Sequence, residues 1–204
     1  MKDMMHTTEI GAIPMNKPLY LFCGRSASGK TTIADILAQK YDHKQVYSYC
    51  TRPPRYDGEI GHVFVDDNTF NNLGELVAYT EYNGFRYGTT SEQLDQCSIY
   101  VVDVPGIETM LRKYKTDRPI IIIYFDASVY TRINRMIDRG DSDMAIISRL
   151  LQDEKDDWFK QLDHLVWHYN NIVKKNVDLY CINANGSKES VLDMVQYYME
   201  DSTW

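Results

Sequence analysis

Residues Gly24-Arg25-Ser26-Ala27-Ser28-Gly29-Lys30-Thr31 fit the pattern G-x-x-x-x-G-K-[ST] in full. Two glycines at that spacing let the backbone curl so that its N–H groups face a phosphate, at the positive end of the next helix. In such a loop Lys30 reaches the β- and γ-phosphates of ATP, and the Thr31 hydroxyl ligates Mg²⁺. Gly24, Ser26, Ala27, Ser28, Gly29, Lys30, Thr31 and Thr32 are therefore candidate ATP-binding residues. The competing reading is a tight turn into a helix with an exposed lysine. It is disfavoured by the strand-type run before the loop and the helical run after it.

A second anion site is suggested by Thr51-Arg52-Pro53-Pro54-Arg55. The prolines stiffen the loop, which lowers the entropy lost when two guanidinium forks are held in place. Such forks suit a terminal phosphate on a second substrate. A solvated basic turn is the alternative, weakened by Ser48 before the pair and Tyr87-Gly88-Thr89 after it. Further on, Arg132, Arg135 and Arg139 recur three and four apart, the spacing of one helix face. Arg149 follows in a second helix that starts near Ser142. Three like charges on one face need either a bound anion or acids such as Asp138, Asp141 and Asp143 to offset them.

These residues need a scaffold that brings them together. L-Y-L-F-C (19–23) reads as a short buried strand, and Ile33, Ile36, Leu37 and Tyr41 behind the glycine loop recur at helical spacing. Strand-type runs return at 99–104, 120–125 and 177–183, with helical patterns between and after them. Continuous β-branched runs point to a parallel sheet covered on both faces, an α/β fold. Residues 48–91 differ, being rich in Tyr, Thr, Gly and Pro with short alternating stretches and an Asn83-Gly84 turn. They read as a small β-rich insertion. The chain then divides into a tail at 1–16, a core from 17–47 and 92–204, and the insertion. Met15 reads as a candidate alternative start within the tail.

Composition narrows the function. Of 204 residues, 29 are Asp or Glu and 22 are Lys or Arg, a net charge of −7 that argues against a general nucleic-acid or anionic-membrane surface. The longest wholly apolar run, Ile120 to Phe125, is too short to span a bilayer, and neither a secretory nor a transit pattern opens the sequence. Cys23, Cys50, Cys97 and Cys181 are widely spaced, with no C-x-x-C, which favours a reducing cytoplasm over a disulfide scaffold or zinc module. Trp167 and His168 are candidates for a dimer surface, although nothing requires one.

The glycine loop, S-Y-C-T-R-P-P-R-Y-D-G-E-I-G-H-V-F-V, Y-N-G-F-R-Y-G-T-T and V-V-D-V-P-G occur in the order and approximate spacing of the guanylate kinase family, which the chain resembles from about residue 18 to 200. The resemblance implies a P-loop kinase transferring the γ-phosphoryl of Mg-ATP to GMP. By it, Ser48 and Asp103 contact the guanine edge, with Asp103 also placed to order the metal's waters. Arg52, Arg55, His62 and Tyr87 hold the monophosphate, with Thr89 near the base or the loop, and Asn183 lies near the ATP base. A lid at about 127–158 brings Arg135, Arg139 and Arg149 to the transferring phosphoryl, alongside Lys30 and Arg52 as catalytic residues.

Two positions depart from the family. Ala78 stands where a glutamate usually accepts from the guanine N1 and N2 hydrogens, and His62 stands where a tyrosine contacts phosphate. Glu81 falls on the opposite face of an extended strand from Ala78 and does not simply replace that glutamate. Base preference is accordingly open. A same-fold kinase for another nucleotide or a ribose bisphosphate is one alternative, and a non-catalytic binding module is another.

Overall fold

A computed structural model describes residues 17–54, 57–155 and 157–201. Its main sheet has the order β6-β1-β7-β8, formed by β1 (Leu19–Cys23), β6 (Ile99–Val101), β7 (Ile120–Asp126) and β8 (Val177–Asn183). All three pairings are parallel, with Leu21 opposite both Tyr100 and Ile122, and Ile122 opposite Leu179. Gln45 adds a parallel bridge to Ile99 outside β6.

The period of two along a strand sends alternate residues to opposite faces. Leu19, Leu21, Ile120, Ile122 and Tyr124 pack on one face with Ile107, Met110 and Leu111 of α4 (Val104–Lys113) and Leu162 of α7 (Trp158–His168). Tyr20, Phe22, Ile121, Ile123 and Phe125 pack on the other with Ile33 and Leu37 of α1 (Lys30–Lys40) and Val191 and Val195 of α8 (Lys188–Asp201). Double burial explains why these strands read as unbroken apolar runs.

A second, mixed sheet has the order β3-β2-β5-β4, with β2 (Ser48–Cys50), β3 (His62–Phe64), β4 (Ala78–Tyr82) and β5 (Phe85–Thr89). Strands β4 and β5 form a hairpin through Asn83 and Gly84, both at positive φ, as the Asn-Gly pair predicts. The five-residue helices α2 (Asp67–Asn71) and α3 (Ser91–Asp95) flank β4 and β5 in the chain and are capped by Asp66 and Thr90.

The run at 99–104 is corrected by the structure. The strand stops at Val101, and Asp103 is the N-cap of α4, its carboxylate accepting from the Gly106 N–H at 2.9 Å. Beyond β7, Ser128 caps α5 (Val129–Asp138) and Ser142 caps α6 (Asp143–Asp153), the second where its sequence suggests. A π-helical turn, Tyr169–Val173, follows α7. Among the described residues no helix is long and apolar enough to cross a membrane.

Candidate active site

The glycine loop joins the C-terminal end of β1 to α1, at the edge where parallel sheets open their binding crevice. Gly24 has φ +145°, and a Cβ there would lie 2.6 Å from the Phe125 carbonyl oxygen, so only glycine allows the loop to leave β1 so close to β7. Gly29 is left-handed at φ +102° and forms the N-cap of α1. Lys30 turns back into the loop, donating to the carbonyls of Gly24 (2.6 Å) and Arg25 (2.9 Å) and to the Ser28 hydroxyl (3.2 Å). Burial pulls its ammonium down to about 8, with Asp153 and Asp103 partly opposing that shift.

Two cavities open beside this loop. A smaller one, about 240 Å³, is lined by Gly24, Ser26, Lys30, Asp103, Arg149 and Asp153 and by Ser48, His62, Thr80 and Tyr87 of the second sheet. A larger one, about 620 Å³, is lined by Thr31, Thr32, Arg139, Asp141 and Glu59. They share Ser48, His62, Val101 and Arg149, so one cleft runs between the two sheets.

On the acceptor side Arg52 is buried and grips Glu59 with both terminal nitrogens, at 3.0 and 2.9 Å, while lying 5.2 Å from the Phe64 ring centre. Tyr87 hydrogen-bonds the same guanidinium, and burial pushes its hydroxyl above the ordinary tyrosine value. Ser48 Oγ and His62 Nδ1 lie 3.1 Å apart, and the His62 ring packs edge-on to Tyr87. Burial raises the Asp103 carboxyl, and hydrogen bonds from Gly106 and Thr80 pull it back. Arg55 lies outside the described residues.

Several residues sit apart from the places given them in sequence. Thr89 is fully buried behind Tyr100, to whose hydroxyl it donates at 2.9 Å, and only Tyr100 lines the cavity. Asn183 accepts from the backbone and side-chain nitrogens of Asn185 and shapes the loop after β8. The stripe of three arginines divides, because each finds a different partner. Arg132 is fully buried against Asp153 (2.9 Å) and Glu154 (2.5 Å), and Arg139 pairs with Asp141. Arg135 donates to the carbonyls of Ser28 (3.0 Å) and Ala184 (2.9 Å), with longer bonds to Ala27 and Gly186. Arg149 lies 3.6 Å from Asp141, which draws it to the same acid as Arg139.

Thr80, Glu59 and Asp153 were not foreseen as site residues. A Glu seven residues after an arginine, or an Asp inside the acidic run 153–157, looks like a solvated surface in sequence. Ala78 is fully buried and does not line the cleft, whereas Glu81 is exposed and takes the Tyr79 hydroxyl.

No family model matches the chain. It is 28% identical over 145 residues to the guanylate kinase of Nitrosomonas europaea, covering 65% of this chain and 71% of that one. The guanylate kinase of Geobacter metallireducens is 27% identical over 145 residues, covering 64% and 70%. The crystal structure of guanylate kinase from Anaplasma phagocytophilum shares the fold, with a TM-score of 0.53 at 18% identity over 93% of this chain and 87% of that one. A glycine phosphate loop at the end of β1, facing a small mixed sheet that carries Arg52 and Tyr87, defines a P-loop nucleoside monophosphate kinase. Within that class the relatives it resembles are guanylate kinases, and the solved guanylate kinase shares its fold.

Proposed function

We propose that the protein transfers the γ-phosphoryl of Mg-ATP directly to the phosphate of GMP, giving ADP and GDP. The observation that carries this reading is the single cleft bounded by Lys30 on one side and by Ser48, His62 and Tyr87 on the other, with Arg149 between them. Residues 17–47 and 92–204 then form the kinase core, 48–91 the acceptor-binding insertion, and about 127–158 the lid. The four cysteines are free, in keeping with a cytoplasmic enzyme.

The chemistry needs little covalent help from the protein. Its work is to align two anions and neutralise the charge spread over the equatorial oxygens. Lys30, Arg139 and Arg149 supply positive charge along the donor side, and Arg52 with Tyr87 holds the acceptor phosphate. Arg135 braces the loop through the Ser28 and Ala184 carbonyls. Asn183 orders the loop where the adenine would rest. Among the described residues no cluster of three His, Cys, Asp or Glu could hold a metal ion. Thr31, exposed on the larger cavity, offers one hydroxyl, a donor set that fits Mg²⁺ carried mainly by phosphates and water. Bound there, Mg²⁺ would neutralise the β- and γ-phosphate oxygens.

A second reading, the same chemistry on a different acceptor, is favoured by Ala78. With no carboxylate at that position and Glu81 engaged by Tyr79, Asp103, at the start of α4 and hydrogen-bonded by Thr80 of the second sheet, is the cleft carboxylate placed to meet a base edge. An ADP-release assay with Mg-ATP against GMP, dGMP, IMP, AMP, CMP, UMP and ribose 1,5-bisphosphate decides between the readings. GMP is expected to be turned over best, with IMP within about tenfold because one hydrogen-bonding carboxylate is missing. Preference for a pyrimidine or sugar phosphate would overturn the guanylate assignment.

A further inference from the structure

Arg132 is among the largest fully buried side chains of the described residues. Its two terminal nitrogens bond Asp153 Oδ2 at 2.9 Å and Glu154 Oε1 at 2.5 Å, and its Nε has no hydrogen-bond partner among the described residues. Asp153, only 1% exposed, also accepts from the Ser26 backbone N–H at 2.7 Å and the Ser26 hydroxyl at 3.2 Å. Glu154 pairs with Arg25 at 3.1 Å. The last turn of α6 is thereby tied to α5 through Arg132 and to the phosphate loop through residues 25 and 26.

A buried ion pair is poor evidence for net stability, because desolvation offsets most of the attraction, and apolar pairs of similar size often replace it without loss. Its known value is in fixing registry. Here the pair sits where registry matters, since Ser26 and Asp153 line the cleft with Lys30. A carboxylate bonded to a loop N–H also satisfies a backbone donor that would otherwise be buried at a site built from such donors.

We propose that Asp153, held in place by Arg132, is a positioning residue for the nucleotide-binding loop: it fixes the backbone at Ser26 and couples the loop to helices α5 and α6. The proposal rests on the reading of this loop as the ATP site. Asp153 touches no reacting atom and acts through the loop backbone.

Two double variants isolate the effect. R132M/D153N and R132M/D153L both remove the buried ion pair and leave the net charge unchanged, so electrostatic attraction for ATP is matched. Only the first keeps an oxygen able to accept from Ser26. Both are expected to fold, and R132M/D153N to keep the KM for ATP within about twofold of wild type. R132M/D153L is expected to raise that KM by up to about tenfold, the worth of one hydrogen bond, with the acceptor KM unchanged. Equal ATP KM values in the two variants would overturn the proposal. Amide hydrogen exchange on the unaltered, unliganded protein tests it independently of how the variants fold. The Ser26 N–H should be protected, and exchange at the rate of an open loop amide would overturn the proposal. Direct Mg-ATP binding by wild type is measured alongside. If wild type binds no ATP, the kinase reading fails, while Ser26 protection still reports on the tie.

Discussion

Lys30 carries a charge that burial opposes and a bound phosphate would favour, so its titration links structure to rate. Its ammonium lies near 8 in the folded protein against 10.5 for an ordinary lysine. The folded-state value is the lower one. The folded protein therefore gives up this proton first, and the group's destabilising contribution is fully present below about 8 and fades as pH rises toward 10.5. Activity should run the other way, because only the ammonium neutralises phosphate. kcat/KM for ATP is expected to fall above about pH 8, and the matching limb in kcat to lie higher, since bound phosphates favour the charged form. Coincident limbs in the two profiles, measured from pH 6 to 10.5, would remove Lys30 as their origin. Arg135 makes a second case. Replacing it with alanine removes donors from four loop carbonyls, so kcat/KM for ATP should fall by about 10² or more, with KM and kcat both affected. A sequence spacing of three and four placed Arg132, Arg135 and Arg139 on one face but could not say which acid each would find. That choice depends on α6, and the carboxylates of Asp153 and Glu154 become neighbours of Arg132 only after α5 and α6 pack.

At the scale of elements, the centre of the main sheet was legible because β1 and β7 are buried on both faces and so read as continuous apolar runs, whereas the edge strand β8 is interrupted by exposed Asp178. The capping serine at 142 likewise marked a helix start whose chemistry is local. The end of the strand at 99–104 was not legible, since Val102 and Val104 extend the β-branched pattern while Asp103 is used as a helix cap. The short α2 escaped notice because five residues hold little periodicity, and its start depends on one Asp66 cap. The second sheet depends on an equally local device, the Arg52–Glu59 fork that closes the loop between β2 and β3. Both side chains are more than nine-tenths buried, so Glu59→Ala leaves an uncompensated guanidinium and should cost about 3 kcal/mol in a denaturant melt. Thr80→Val should leave stability nearly unchanged and raise the acceptor KM, because it removes the hydroxyl that orients Asp103 in the cleft. An unaltered acceptor KM would place Asp103 outside base recognition.

For the whole molecule, the cations of the cleft are already engaged by internal partners. Lys30 is bound to loop carbonyls, Arg52 to Glu59, and Arg139 and Arg149 to Asp141. With a net charge of −7, the protein has acids available to pair with these cations, and in the proposed reaction the substrate phosphates would displace them. Those cations lie on separate parts of the structure: Lys30 at the start of α1, Arg52 in the loop after β2 of the second sheet, and Arg139 and Arg149 at the C-cap of α5 and on α6. One nucleotide can exchange the partners on one side only. Transfer needs reacting atoms about 3–3.5 Å apart and water excluded, which requires both exchanges and an approach of the two sides. A non-hydrolysable ATP analogue and GMP added together should therefore raise the melting temperature by more than the sum of the shifts each gives alone at the same concentrations. Ligand stabilisation grows with affinity as RT ln(1 + [L]/Kd), so the excess measures the free energy gained on engaging both sides together. An additive shift would mean that the two sites are already set at their reacting distance, with no closure left for the substrates to drive.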